Sequence, residues 1–164
     1  MEPIVTLSLF VGLPIILGII LRVNPVYMYL SVVVSKILLI FVGDDAAVAA
    51  GGFIKGQNSQ MFSSLFLLVL PLILTMLILR GGLHKPQILI LVPAFIAVGA
   101  SLYIFALPQL TAGIIGTVLA SEVGKTINSS QDLIVAASGV IVMVVMWIVN
   151  RPHQEHHKHK KHHK

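Results

Sequence analysis

The chain contains no cysteine among its 164 residues. That excludes a disulfide framework, a thiolate metal site and a cysteine nucleophile in any compartment. Charge is also scarce, at 10% of residues against 57% apolar, and a water-soluble domain of this length cannot cover its surface with so little. No paired aspartates, no Ser with His and no His-Glu-x-x-His pattern falls inside an apolar run. A catalytic role therefore has little to stand on, and the chain reads as non-enzymatic.

What the sequence has instead is long greasy runs, with a mean hydropathy of +0.97. A helix crosses a hydrocarbon core with roughly 20 largely apolar residues. Segments 4–21, 26–43, 62–79, 88–107 and 133–149 are each of about that length. The expected fold is all-α, a polytopic integral membrane bundle of five transmembrane helices filling residues 1–150. The first run follows Met-Glu-Pro with no basic n-region and no small-x-small cleavage site, so it reads as a retained span.

Charge sets the expected orientation. With the N-terminus outside, the inner face receives Arg22, Arg80, Lys85, Arg151, Lys158, Lys160, Lys161 and Lys164, and the outer loops hold Lys55 and Lys125, eight against two. Without the tail the ratio is four against two. The acids Glu2, Asp44, Asp45, Glu122 and Asp132 then lie outside. Tyr27, Tyr29, Tyr103 and Trp147 stand near span ends and suggest interfacial anchors. Pro14, Pro71 and Pro93 lie within spans, where each removes a backbone donor and favours a kink over a gate. The expected location is a bacterial-type plasma membrane.

Two pairs of segments rhyme. LPIILGIILR, residues 13–22, echoes LPLILTMLILR, residues 70–80, and KGQNSQ, residues 55–60, echoes KTINSSQ, residues 125–131. They suggest a parallel two-hairpin repeat, with the fifth span opening a truncated third copy; chance likeness between Leu- and Ile-rich runs is the competing explanation. The outer connection 108–124 is too apolar for free solvent and places Leu110, Ile114, Ile115, Val118 and Leu119 on one helical stripe. An interfacial or re-entrant helix is expected there. Ser31 with Ser35, Ala97 with Ser101, and the small residues 136–139 mark expected helix contacts.

The most conspicuous residue is Lys36, eleventh of the eighteen residues in its span. Insertion survives it: a central lysine costs about 2.5–3.5 kcal/mol, and the span's Val, Leu, Ile and Phe residues return about 3–7 kcal/mol. Asp44 and Asp45 follow roughly 12 and 13 Å along the axis, too far for a direct pair within one straight helix. Either the amine snorkels outward along its own stem, or it meets a carboxylate from another segment, Glu122 or Asp132, or a bent-back Asp44. The candidate intramembrane polar site is thus Lys36, Asp44, Asp45 and Glu122.

Residues 151–164 form a His/Lys-rich tail, expected to be disordered and cytoplasmic. Arg151, Lys158, Lys160, Lys161 and Lys164 are candidate contacts for anionic lipid headgroups, at about 1 kcal/mol each near the surface. His153, His156, His157, His159, His162 and His163 offer imidazoles to Zn, Ni or Cu, though their spacing builds no defined tetrahedral site. Gly124-Lys125-Thr126 is no phosphate loop, because Leu119 stands where that motif needs glycine. Asn128-Ser129-Ser130 fits a glycosylation sequon that matters only in a secretory host. The expected function is a structural or accessory subunit of a membrane complex, with complex partners or a homo-oligomer and no nucleic acid. The alternatives are a small channel or transporter subunit built around Lys36, and, more weakly, a holin-like pore former or a metal-handling protein acting through the tail.

Overall fold

The computed structural model describes residues 3–52, 59–82, 88–110 and 112–149, and every element among them is helical. In order these are α1 (Pro3–Leu21), α2 (Pro25–Gly51), α3 (Ser59–Ile78), α4 (Ile88–Ala106), a 3-10 turn at Leu107–Gln109, α5 (Ala112–Ala120), α6 (Glu122–Ser129) and α7 (Gln131–Val149). Four stretches are long and apolar enough to cross a bilayer: Pro25–Gly51, Gln60–Ile78, Ile90–Gln109 and Gln131–Val149. In α1 the apolar stretch Ser8–Leu21 is shorter. The chain is accordingly an all-helical protein with the build of an integral membrane protein.

Polarity is distributed for lipid rather than water. On α1 the exposed residues Val5, Leu9, Leu13, Ile16 and Ile20 recur at three- and four-residue spacing, a continuous apolar stripe facing outward. Tyr27, Leu30, Val34, Ile37 and Phe41 form the same kind of stripe on α2. Among the described residues the buried polar ones are all serines: Ser31, Ser35, Ser63, Ser64, Ser101 and Ser138. Small hydroxylated residues inside and large aliphatic ones outside is the pattern of helices packed in hydrocarbon.

Helix α4 is the axis of the bundle. Some 67% of its apolar stretch is buried, against 17% for α7, and α4 touches α1, α2, α3 and α7. The tightest approach is between α1 and α4 at Gly99, where a Cβ would come within 2.7 Å of the Val11 Cα. Gly18 gives similar room to the Phe95 ring, which is fully buried. Helix α2 packs most extensively on α3, and α1 on α4, so each of the first two hairpins exchanges its close partner with the other.

Local chemistry sets the boundaries. Asn24 caps α2, its side chain accepting the Val26 N–H at 3.0 Å, with Pro25 pre-set for the first helical position. Helix α1 closes with paired bonds, Val23 N–H to Gly18 C=O at 3.0 Å and Arg22 N–H to Ile19 C=O at 3.3 Å. That closure puts Arg22 at φ 53°, a conformation glycine normally supplies. The Gly81 N–H then donates to the Leu21 carbonyl at 2.9 Å, binding the C-terminal ends of α1 and α3 together. Arg22 and Arg80 therefore share one end of the bundle with the last turn of α7, where Met146 and Val149 meet Asn24 and Val26.

The opposite end differs from expectation in two ways. Helix α2 does not stop near residue 43 but runs on to Gly51, because DDAAVAA holds no breaker and alanine is the best helix former. The connection after α4 forms two short helices, split at Ser121, whose Oγ accepts the Gly124 N–H at 3.0 Å and donates to the Val118 carbonyl at 2.7 Å. Val118 is buried against Tyr103, Ile104 and Leu107, and Leu110 and Ile127 pack around them. Helices α5 and α6 thus cover the end of α4.

Candidate functional site

Lys36 is half-buried, and its Nζ stands 5.5 Å from the centroid of the Phe105 ring on α4. A cation over an aromatic face gains about 0.5–2 kcal/mol, more as water is withdrawn. The lysine opens on a cavity of about 530 Å3 between α2, α4 and α7, lined also by Ile104, Pro108, Gln131, Asp132 and Val135. Lys36 is brought there by its place on the inward face of α2, and Gln131 and Asp132 by the first turn of α7. Among the described residues Lys36 makes no ion pair; the aromatic ring is its partner.

Below the cavity the wall closes. Tyr29 lies two turns before Lys36 on the same face of α2, and its hydroxyl donates a long bond, 3.4 Å, to the Val135 carbonyl of α7. Gly139 makes this possible, since a Cβ there would come within 3.2 Å of the Tyr29 hydroxyl. Ser101 on α4 is fully buried, its Oγ beside the Tyr29 hydroxyl but without a hydrogen bond of good geometry. On α2 the hydroxyls turn back to their own helix, Ser35 to the Ser31 carbonyl and Ser31 to the Met28 carbonyl, each at 2.8 Å. From there to the arginine end Met28, Val32, Leu72, Leu91, Phe95, Val98, Val142 and Val145 are buried in one cluster.

Of the residues singled out from the sequence, Lys36 is in this cavity. Asp44 and Asp45 are exposed further along α2, and Glu122 is exposed in the first turn of α6. The carboxylate that the fold brings to the cavity is Asp132, 96 positions after Lys36 in the chain. Gln131 and Phe105 of the lining, and Tyr29 below it, are residues that the sequence did not point to as a site. The four-residue step from Ser101 to Phe105 was the available signal for one of them. Tyr29 and Tyr103 stand near span ends but turn inward, Tyr103 packing edge-on against Phe10 with centroids 6.2 Å apart. Tyr27 and Trp147 are exposed.

Arg151 and the tail residues His153, His156, His157, His159, His162 and His163, with Lys158, Lys160, Lys161 and Lys164, lie outside the described residues. Among the described residues no group of three His, Asp or Glu side chains could hold a metal ion. The second large cavity, about 720 Å3 between the Ala46–Ala50 stretch of α2 and Phe62 and Phe66 of α3, is almost wholly apolar. The Lys36 cavity combines a cation, a carboxylate and a carboxamide, a set suited to holding a dipolar group. No protein-family model, curated protein or solved structure matches this chain.

Proposed function

We propose that the chain is a non-enzymatic multi-pass membrane protein, a structural or accessory subunit of a membrane complex in a bacterial-type plasma membrane, with the Lys36 cavity as its binding element. It crosses the bilayer five times, α1 included, with the N-terminus outside and the C-terminus in the cytoplasm. Support for the orientation comes from Arg22 and Arg80 at one end and Asp44, Asp45, Glu122 and Asp132 toward the other. The exchanged packing of the first two hairpins is what a parallel repeat of α1–α2 in α3–α4 would produce. The basic tail then adds attraction to anionic headgroups at the inner leaflet.

The observation that carries this reading is the filled interior beneath the cavity. A conduit through one chain needs polar, wettable walls along its length. Here the route from Lys36 toward the arginine end is occupied by buried aliphatic and aromatic side chains. The second reading, a channel or transporter subunit, draws on the same cavity, since an ionisable residue at membrane depth is a functional site by default.

Flux through proteoliposomes of the purified protein separates the two. No solute flux above empty vesicles is expected, and Lys36→Met should insert and fold normally. A wild-type flux that Lys36→Met abolishes would overturn the subunit reading in favour of transport.

A further inference from the structure

Lys36 and Asp132 face one cavity from different helices, yet they do not pair. Their separation has a reason: Asp132 is exposed at the start of α7 and Lys36 is half-buried, so solvent at this end weakens the attraction between them. Phe105 supplies part of it by holding the ammonium over its ring. The result is a cavity with a cation on the α2 wall and an anion on the α7 wall, both accessible from the space between them. Gln131 adds a carboxamide beside the carboxylate.

We infer that this cavity binds a zwitterion of the phosphoethanolamine type, its phosphate on Lys36 and its ammonium on Asp132 and Gln131. The dipole of such a group runs opposite to that of the pair that receives it, so each of its charges meets a counter-charge. A volume of about 530 Å3 lies within the range of small-molecule sites, roughly 300–1,000 Å3. Ile104, Pro108, Val135 and Ala136 complete the lining with apolar surface that suits the glycerol end of a lipid. Asp132 and Gln131 accept from an ammonium N–H, which choline lacks, so phosphatidylcholine is a poor occupant. Phosphatidylglycerol offers the phosphate and no cation. The inference rests on the cavity being a binding element, as proposed above.

Native mass spectrometry of the full chain, exchanged into an equimolar mixture of phosphatidylethanolamine, phosphatidylglycerol and phosphatidylcholine, tests it. Wild type should retain phosphatidylethanolamine about tenfold over the other two, the scale of one charge-assisted contact. Lys36→Met should lower retention of all three, and Lys36→Arg should restore it. Asp132→Asn should keep the phosphate contact but bring phosphatidylglycerol level with phosphatidylethanolamine, a change of preference that simple misfolding does not produce. Free phosphoethanolamine identifies the source of the group: failure to displace the lipid places it in the bilayer, displacement at millimolar concentration places it in solution, and both keep the chemistry. Equal retention of the three lipids by wild type, or a Lys36→Met protein that retains them as wild type does, overturns the inference. Because retention is read in detergent without flux, its failure is distinct from failure of the subunit reading.

Discussion

Replacing Gly99 with alanine tests the contact on which the packing of α1 against α4 depends. The added Cβ would lie 2.7 Å from the Val11 Cα, 2.9 Å from its carbonyl oxygen and 3.2 Å from its carbonyl carbon. Carbon atoms rest about 3.5–4.0 Å apart, so α1 must withdraw by roughly 1 Å. These atoms are backbone and cannot rotate aside. Withdrawal also loosens Gly18 from Phe95 and Phe10 from Tyr103, because α1 moves as a rod.

Overpacking of this kind costs about 1–3 kcal/mol, and helix propensity returns up to about 1 kcal/mol on replacing glycine with alanine. Gly12→Ala isolates the second effect, since nothing lies within 4 Å of a Cβ there. The two variants should therefore differ by about 1–3 kcal/mol, a gap of roughly 3–10 °C in unfolding temperature for a chain of this size. Thermal unfolding in detergent, followed by helical circular dichroism or by Trp147 fluorescence, reads the gap. A Gly99→Ala protein as stable as Gly12→Ala would refute backbone contact between α1 and α4.

Other predictions follow from single features. Arg22 is held at φ 53°, so Arg22→Gly should raise stability by about 1 kcal/mol, seen as a small rise in unfolding temperature; a fall would mean that the arginine side chain contributes more than the backbone strain removes. Ser101 buries its hydroxyl beside the Tyr29 phenol without a hydrogen bond of good geometry, so Ser101→Ala should change stability by less than about 1 kcal/mol in the same measurement, and a larger loss would show that the two hydroxyls bond. The chain has no native cysteine, which gives single-cysteine variants a clean background. With an impermeant maleimide on intact cells, Asp45→Cys should label directly and Gly82→Cys only after permeabilisation; labelling of both from one side would refute their placement on opposite faces.

The helices were legible because apolar runs of spanning length have few other uses. The far end of α2 was not, since acidic residues after a greasy run resemble an interfacial loop although the alanines behind them continue the helix to Gly51. Tyr29 and Tyr103 were read by height along their spans, whereas the side of the helix on which each stands turns it inward. The same limit hid the company of Lys36. In water the buried face of a helix is its apolar face, but here both faces are apolar, so periodicity does not say which side of α2 meets α7. Asp132 could be named as a remote alternative, while nothing local to position 36 selects it over Glu122 or Asp44.

What selects Asp132 is the fit of small residues. Gly139 lets the Tyr29 phenol lie against α7, and the hydroxyl reaches the Val135 carbonyl one turn nearer the start of that helix. Asp132 stands one turn before Val135 and Lys36 two turns after Tyr29, so the contact that seats α7 on α2 also sets the height at which lysine and carboxylate face each other. Hydrocarbon supplies no preference for one apolar face over another, and close packing at glycine and serine supplies it instead. The position of the charged cavity in this bundle is thus a consequence of where the chain has placed its smallest side chains.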